Sequence, residues 1–299
     1  MAPRLSGFCA SEKYRSSLKF LLRLDAWRRK FPRPFSGIAL LGVRWSKEVG
    51  LRGRKFLTEA DVERHRRKGF GEGAGARYMP WLSVQDVPSQ GRSHRIQGLK
   101  VDRVHHLLSD LERAYYLACE FSEDIVDIRE QYPLLPREAT QAIANAKGIR
   151  YPKYPGSNLP LVMTTDFLLT VRQSDGSEKL VARTVKYKNE LSGKGSLRAL
   201  EKLEIEKVFW NNQGVNWSVV TEEMFTPNLV KNLGLLRSYH CLTRALLEPS
   251  LQADFLQLLV DYRPYPMSTS DCLNKIASRL FISYQDAKSI YLNLIWSKK

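Results

Sequence analysis

The chain has 299 residues, 47 of them Lys or Arg against 31 Asp or Glu, and a formal net charge of +16. A hydrophobic fraction of 43% is enough for packed cores, and the length suggests two domains. The apolar run at residues 35–43 is far shorter than a membrane span of roughly 20 residues. The 14 Pro and 18 Gly follow no repeat, and Cys9, Cys119, Cys241 and Cys272 have neither disulfide-framework nor zinc spacing. They read as thiols in a reducing cytosol. What remains is a soluble, basic protein, and such an excess most often means a polyanionic partner.

The charge is uneven along the chain. Residues 1–77 carry 19 basic and 7 acidic residues, residues 78–225 carry 19 of each, and residues 226–299 carry 9 and 5. This division suggests a basic N-terminal arm over 1–57, a central domain over 58–225 and a tail domain over 226–299. In the arm, Arg28, Arg29, Lys30 and Arg33 are interleaved with Trp27, Phe31 and Phe35, which suits phosphate neutralisation and base stacking. An inert leader or a transit peptide is the alternative for residues 1–50, although Glu12 and Asp25 oppose the second. Thr58 to Asp61 looks like a helix start feeding Arg64, Arg66, Arg67 and Lys68, which are candidate DNA contacts.

A glycine-rich hinge at 69–75 leads into an aromatic segment from Tyr78 to Trp81. Apolar spacing predicts a helix from Ser109 to Phe121. Short strands are expected at 125–128 and 165–171, with a returning strand at 180–187 after a turn at Asp175-Gly176. A helix over 196–213 should stop at Gly214, and Val215, Trp217 and Val219 alternate on a fourth strand. Helices and strands mixed around one sheet make an α/β domain. The tail reads as helices over 227–247 and 251–262. An amphipathic pair follows, the first helix capped by Ser270 and the second running through Ala287, Ile290, Tyr291, Leu294 and Ile295. That is the outline of a helix-turn-helix, with Gln285, Lys288, Ser289 and Asn293 on the exposed face.

Four polar positions suggest chemistry. Glu112 lies on the first helix of the central domain, Asp166 begins a strand, and Thr184 and Lys186 sit two apart on the returning strand, hence on one face. Carboxylates hold hard divalent ions, which activate water against a phosphodiester, and a lysine can hydrogen-bond the attacking water or the developing charge. On spacing alone the pattern is common. Ser109 to Glu112 also fits a capping box, in which the Glu only bonds back to the N-cap amide. His105 and His106, with no partner spacing, read as structural or DNA-contacting. Arg129, Glu130 and Gln131 read as bracing, and Glu201, Glu204 and Glu206 as a face that is mostly either solvated or supporting the site from behind.

The blocks YMPWLSVQDVPSQGRSHR (78–95), RVHHLLSDLE (103–112), DIREQYPLLP (127–136), MTTDFL (163–168) and LEKLEIE (200–206) stand in the order and spacing of one family. Together they resemble the TnsA family, the endonuclease subunits of Tns-type cut-and-paste transposases. The resemblance implies an α/β, restriction-endonuclease-like domain with a mixed sheet flanked by helices, then a small helical, helix-turn-helix or winged-helix-like C-terminal domain. It implies Mg2+ or Mn2+, with Glu112, Asp166 and Lys186 catalytic and Glu112, Asp166 and Thr184 at the metal. Thr184 departs from the family pattern, which has Gln there and an acid in general nucleases of this fold. Arg92 and Arg95 in the entry block, and Lys288 in the tail, join the candidate DNA contacts. The implied partners are transposon-end DNA, a TnsB-like DDE transposase and a TnsC-like ATPase adaptor, with no membrane and a cytoplasmic, nucleoid-associated setting. A catalytically weak assembly subunit that keeps the nuclease fold is the alternative.

The hairpin supplies a separate condition. A two-residue loop at Asp175-Gly176 would oppose position 166 to 185 and turn Asp166 away from Lys186. The active-site reading therefore requires an odd-length loop or a bulge.

Overall fold

The structure is a computed structural model that describes residues 56–86, 92–193 and 196–298. The basic arm read at 1–57 lies outside the described residues except for Phe56 and Leu57. Helix α1 (Glu59–Arg67) starts as expected: Asp61 Oδ2 accepts the Thr58 backbone N–H at 3.0 Å, and the basic residues fall in the last turn, where the helix dipole favours them. The stretch at 69–75 is not a hinge. Gly71 is left-handed (φ +80°), its N–H donates to Met79 O at 2.6 Å, and a Cβ there would lie 2.4 Å from Pro133 Cγ. The segment is a folded turn packed on the sheet. Buried His65 holds it from above, with its ring stacked on Phe70 and Nε2 2.9 Å from Trp81 O.

Strands β1 (His94–Gln97) and β2 (Val104–Leu107) then form an antiparallel hairpin. Helix α2 (Asp110–Phe121) follows, its Ser109 cap accepting from Glu112 N. The main sheet runs in the order β3 (Ile125–Pro133), β4 (Thr164–Arg172), β5 (Glu178–Val185), β6 (Asn216–Val220). Its first three strands are antiparallel and β5–β6 is parallel, because helices α4 (Lys188–Ser192) and α5 (Ser196–Asn212) supply the crossover between them. β3 is longer than the four residues expected. Its polar residues Arg129 and Glu130 are buried against partners and do not end the strand.

Helix α2 covers one face of the sheet, with Leu111, Ala114 and Tyr116 packed among Ile128, Phe167 and Val181. Helices α3 (Arg137–Ala146) and α5 cover the other, with Ala144, Ile205, Phe209 and Trp210 against Leu168 and Ala182. In the β4–β5 hairpin Arg172 opposes Glu178, leaving a five-residue loop at 173–177, and Phe167 opposes Arg183. The loop is thus odd, and this register, continued one step past Phe167–Arg183, would set position 166 opposite 184 and not 185.

In the tail, α6 (Pro227–Ser238) ends well before Leu247. The chain turns after it, and Asn293 Nδ2 donates to Tyr239 O at 2.7 Å and His240 O at 3.1 Å. Helices α7 (Pro249–Tyr262), α8 (Thr269–Leu280) and α9 (Tyr284–Ser297) follow. The α8 cap is Ser268 and not Ser270, with its Oγ accepting from Asp271 N at 3.1 Å. Helix α9 is buried on two sides. Ala287, Ile290 and Leu294 pack with Leu273 and Ile276 of α8, while Leu292 packs with Leu117 and Phe121 of α2 and Leu233 of α6. Asn293, expected on an open recognition face, is therefore buried, and only Gln285 of the four expected residues is fully exposed. No helix among the described residues is long and apolar enough to cross a membrane.

Candidate active site

The N-terminal end of α2 and the ends of β4 and β5 bring three of the predicted residues together. Glu112 does cap its helix, accepting Leu108 N at 2.9 Å and Ser109 Oγ at 3.1 Å. It is also 6% exposed and within electrostatic reach of Asp166 and Lys186. One carboxylate therefore makes the capping contacts and also feels the charges of Asp166 and Lys186. Asp166 Oδ2 accepts Val185 N at 2.7 Å and lies 3.4 Å from Lys186 Nζ. Lys186 Nζ also donates to Val185 O at 3.0 Å. Burial, then the Asp166 charge, push the Glu112 carboxyl up to about 8, and Asp166 raises the Lys186 ammonium.

Thr184 is not placed as a ligand. It lies on the face of β5 that carries Ala182, beneath α5, and its hydroxyl is spent within a buried network. Thr184 Oγ1 donates to Glu206 Oε1 and accepts Trp217 Nε1 at 3.1 Å. Thr165 Oγ1 donates to the same Glu206 oxygen at 2.6 Å and accepts Trp210 Nε1. Glu206, 4% exposed, takes the supporting position and not the solvated one of the two expected for this face. Burial first, then Asp166, push its carboxyl up to about 7. The signal was available, since Leu203, Glu206, Phe209 and Trp210 follow the helical spacing of one buried stripe. Its neighbours Glu201 and Glu204 do pair outward, with Arg198 and Lys147.

Two buried carboxylates, with the Asp166 charge disfavouring that of Glu112, are the donor set for a hard cation. Among the described residues no three His, Cys, Asp or Glu side chains form a cluster that could hold a metal. This still fits a magnesium-type ion, which is held by one or two carboxylates and keeps water and substrate oxygens for its other positions. Glu112 and Asp166 are the residues that fit it.

The other candidates lie apart from this centre. His105 is fully buried, with Nδ1 2.9 Å from Glu130 Oε2, so it is structural. His106 Nδ1 accepts Val84 N at 3.3 Å. Arg64 pairs with Asp61 and Arg67 with Glu63, both at 3.0 Å, and Arg66 lies 3.7 Å from Glu72. Such exposed pairs are weak and open to exchange for phosphate. Lys68, Arg92 and Arg95 are exposed, Arg95 on β1 opposite His106, and Lys288 is half-buried on α9.

Residues 122–222 match the family described as TnsA-like endonuclease, N-terminal. The chain is also 42% identical over 182 residues to the Tn7 transposition protein TnsA of Escherichia coli. That match covers 61% of this chain and 64% of the relative's length. The matched family segment holds Asp166, Thr184, Lys186 and Glu206, and begins after Glu112.

Proposed function

We propose, from the similarity of this chain to the TnsA-like endonucleases, that it is a metal-dependent DNA endonuclease that hydrolyses the five-prime strand at transposon ends. The observation that carries this reading is the convergence of Glu112, Asp166 and Lys186 at one end of a mixed sheet. Its expected partners are transposon-end DNA, a TnsB-like transposase and a TnsC-like ATPase adaptor. The restriction-endonuclease-like class of the fold belongs to the same proposal.

The residues divide the work as follows. Glu112 and Asp166 would hold Mg2+ or Mn2+, which would supply a lowered pKa for water and charge neutralisation at the scissile phosphate. Lys186, whose Nζ reaches Asp166 Oδ2 and Val185 O, donates to the attacking water or to the charge building on phosphorus. Asp166 is itself aimed by the Val185 N–H. Glu206 fixes the inner side of β5 through Thr184. The alternative, an inactive assembly subunit, rests on the missing acid at 184 together with the basic arm and the helical tail; against its first ground, the Glu206 carboxyl lies on the Thr184 hydroxyl.

The test is cleavage of transposon-end DNA by the full chain with its partners and Mg2+. Asp166→Ala and Lys186→Ala should each lower strand cleavage at least about a hundredfold while end binding persists. Full activity in both variants overturns the reading. The isolated chain should cut poorly, and robust cutting of any DNA without partners contradicts the proposed division of labour.

A further inference from the structure

Gln131 lies in mid-strand yet has left-handed backbone geometry, with φ +49°. A residue with a Cβ is held there only by its surroundings. Both strands change face at this point. On β3, Ile128 packs on the α2 side, but Tyr132, an even number of residues on, packs on the α5 side. On β4, Phe167 packs on the α2 side, whereas Thr165 bonds Trp210 and Glu206 on the α5 side. Regular strands keep residues two apart on one face, so alternation breaks at the step from Gln131 across to Asp166. The break puts Asp166 within reach of Glu112, over one face, and of Glu206, over the other.

The same residue also holds the other carboxylate. Gln131 is 2% exposed. Thr164 Oγ1 donates to its Oε1 at 3.2 Å, which sets the amide so that Nε2 faces Glu112 Oε2 at 3.5 Å. That last contact is at the long end of hydrogen bonding, as is common before substrate binds. Its backbone carbonyl accepts Trp81 N at 3.2 Å, so the entry segment clamps the kink from outside the sheet.

We infer that Gln131 is the positioning residue of the centre: its left-handed backbone swings Asp166 towards Glu112, and its amide aims the Glu112 carboxylate. The inference rests on the nuclease reading above, and its test separates the two. Gln131→Met keeps the length and removes the amide; Gln131→Gly relaxes the left-handed backbone. With the full chain, Mn2+ binding is measured by electron paramagnetic resonance, thermal midpoint by calorimetry, and transposon-end cleavage with partners. Both variants should lose Mn2+ affinity about tenfold and kcat about ten- to a hundredfold at unchanged KM for DNA. The Gly variant should melt no lower than the wild type. Wild-type Mn2+ affinity and kcat in both variants overturn the inference. So does a loss of Mn2+ binding that only tracks a lowered midpoint in both, because that is a purely structural role. A wild-type chain that neither binds Mn2+ nor cleaves with its partners overturns the nuclease reading instead.

Discussion

Glu206 shows how a single buried carboxyl sets a pH window. Burial and Asp166 raise it to about 7, above the ordinary 4.5, so the folded chain keeps a proton that the unfolded chain releases between those values. The Glu206 contribution to stability is therefore complete below about 4.5, falls as pH rises to about 7, and then levels off. In Glu206→Gln the side-chain oxygen still accepts from Thr165 and Thr184, and no charge is buried. The variant should be more stable than wild type at pH 8 by on the order of 2 kcal/mol, and equal to it below about pH 4.5. Urea unfolding at the two pH values checks this. An equal difference at both would show that the effect is packing and not ionisation.

The β1–β2 hairpin is tied to the sheet by Glu130. That carboxylate accepts Arg103 at 2.7 and 2.5 Å, His105 Nδ1 at 2.9 Å and the His106 N–H at 3.0 Å. Burial pushes it up, but Arg103 and His105 outweigh burial and hold it at about 2. Its contribution is complete above the ordinary 4.5 and is lost as pH falls through about 2. Glu130→Gln leaves Arg103 buried without its counter-charge and should cost about 3–5 kcal/mol at pH 7, with the gap to wild type closing towards pH 2. Much of this element structure was legible in advance. The Ser109 cap, the α5 crossover and the odd hairpin loop follow from caps, periodicity and the active-site condition. The full length of β3 did not, because buried Arg129 and Glu130 mimic a loop when their partners, Thr170 and Arg103, lie 41 and 27 residues away. The kink at Gln131 was equally hidden, since no local pattern marks a left-handed Gln. The tie between Thr184 and Glu206 has no local signature either, because the hydroxyl and the carboxyl that engages it lie 22 residues apart.

At the scale of the whole molecule the tail is joined to the central domain by side chains, not by a linker. Leu292 of α9 enters the apolar layer of α2 and α6, Arg237 of α6 bonds Glu120 at 2.5 Å, and Lys298 donates to Phe121 O at 2.6 Å. Leu292→Ala should cost about 2–5 kcal/mol. Calorimetry should show the described region still melting in a single lowered transition. A separate early transition confined to the tail would show that the two regions fold independently. The burial of Asn293 also narrows how the tail could meet DNA. What it offers is the exposed turn at Phe281, 96% open, rather than the length of α9.

The order of the site residues along the chain has a consequence during synthesis. Glu112 belongs to the helix that ends at Phe121, whereas Asp166, Lys186 and Glu206 emerge 54 to 94 residues later. A nascent chain that has made α2 therefore holds one carboxylate of a pair and no lysine beside it. Only after β4 and β5 have left the ribosome can Asp166 and Lys186 join Glu112, so a chain truncated before them cannot assemble the candidate site.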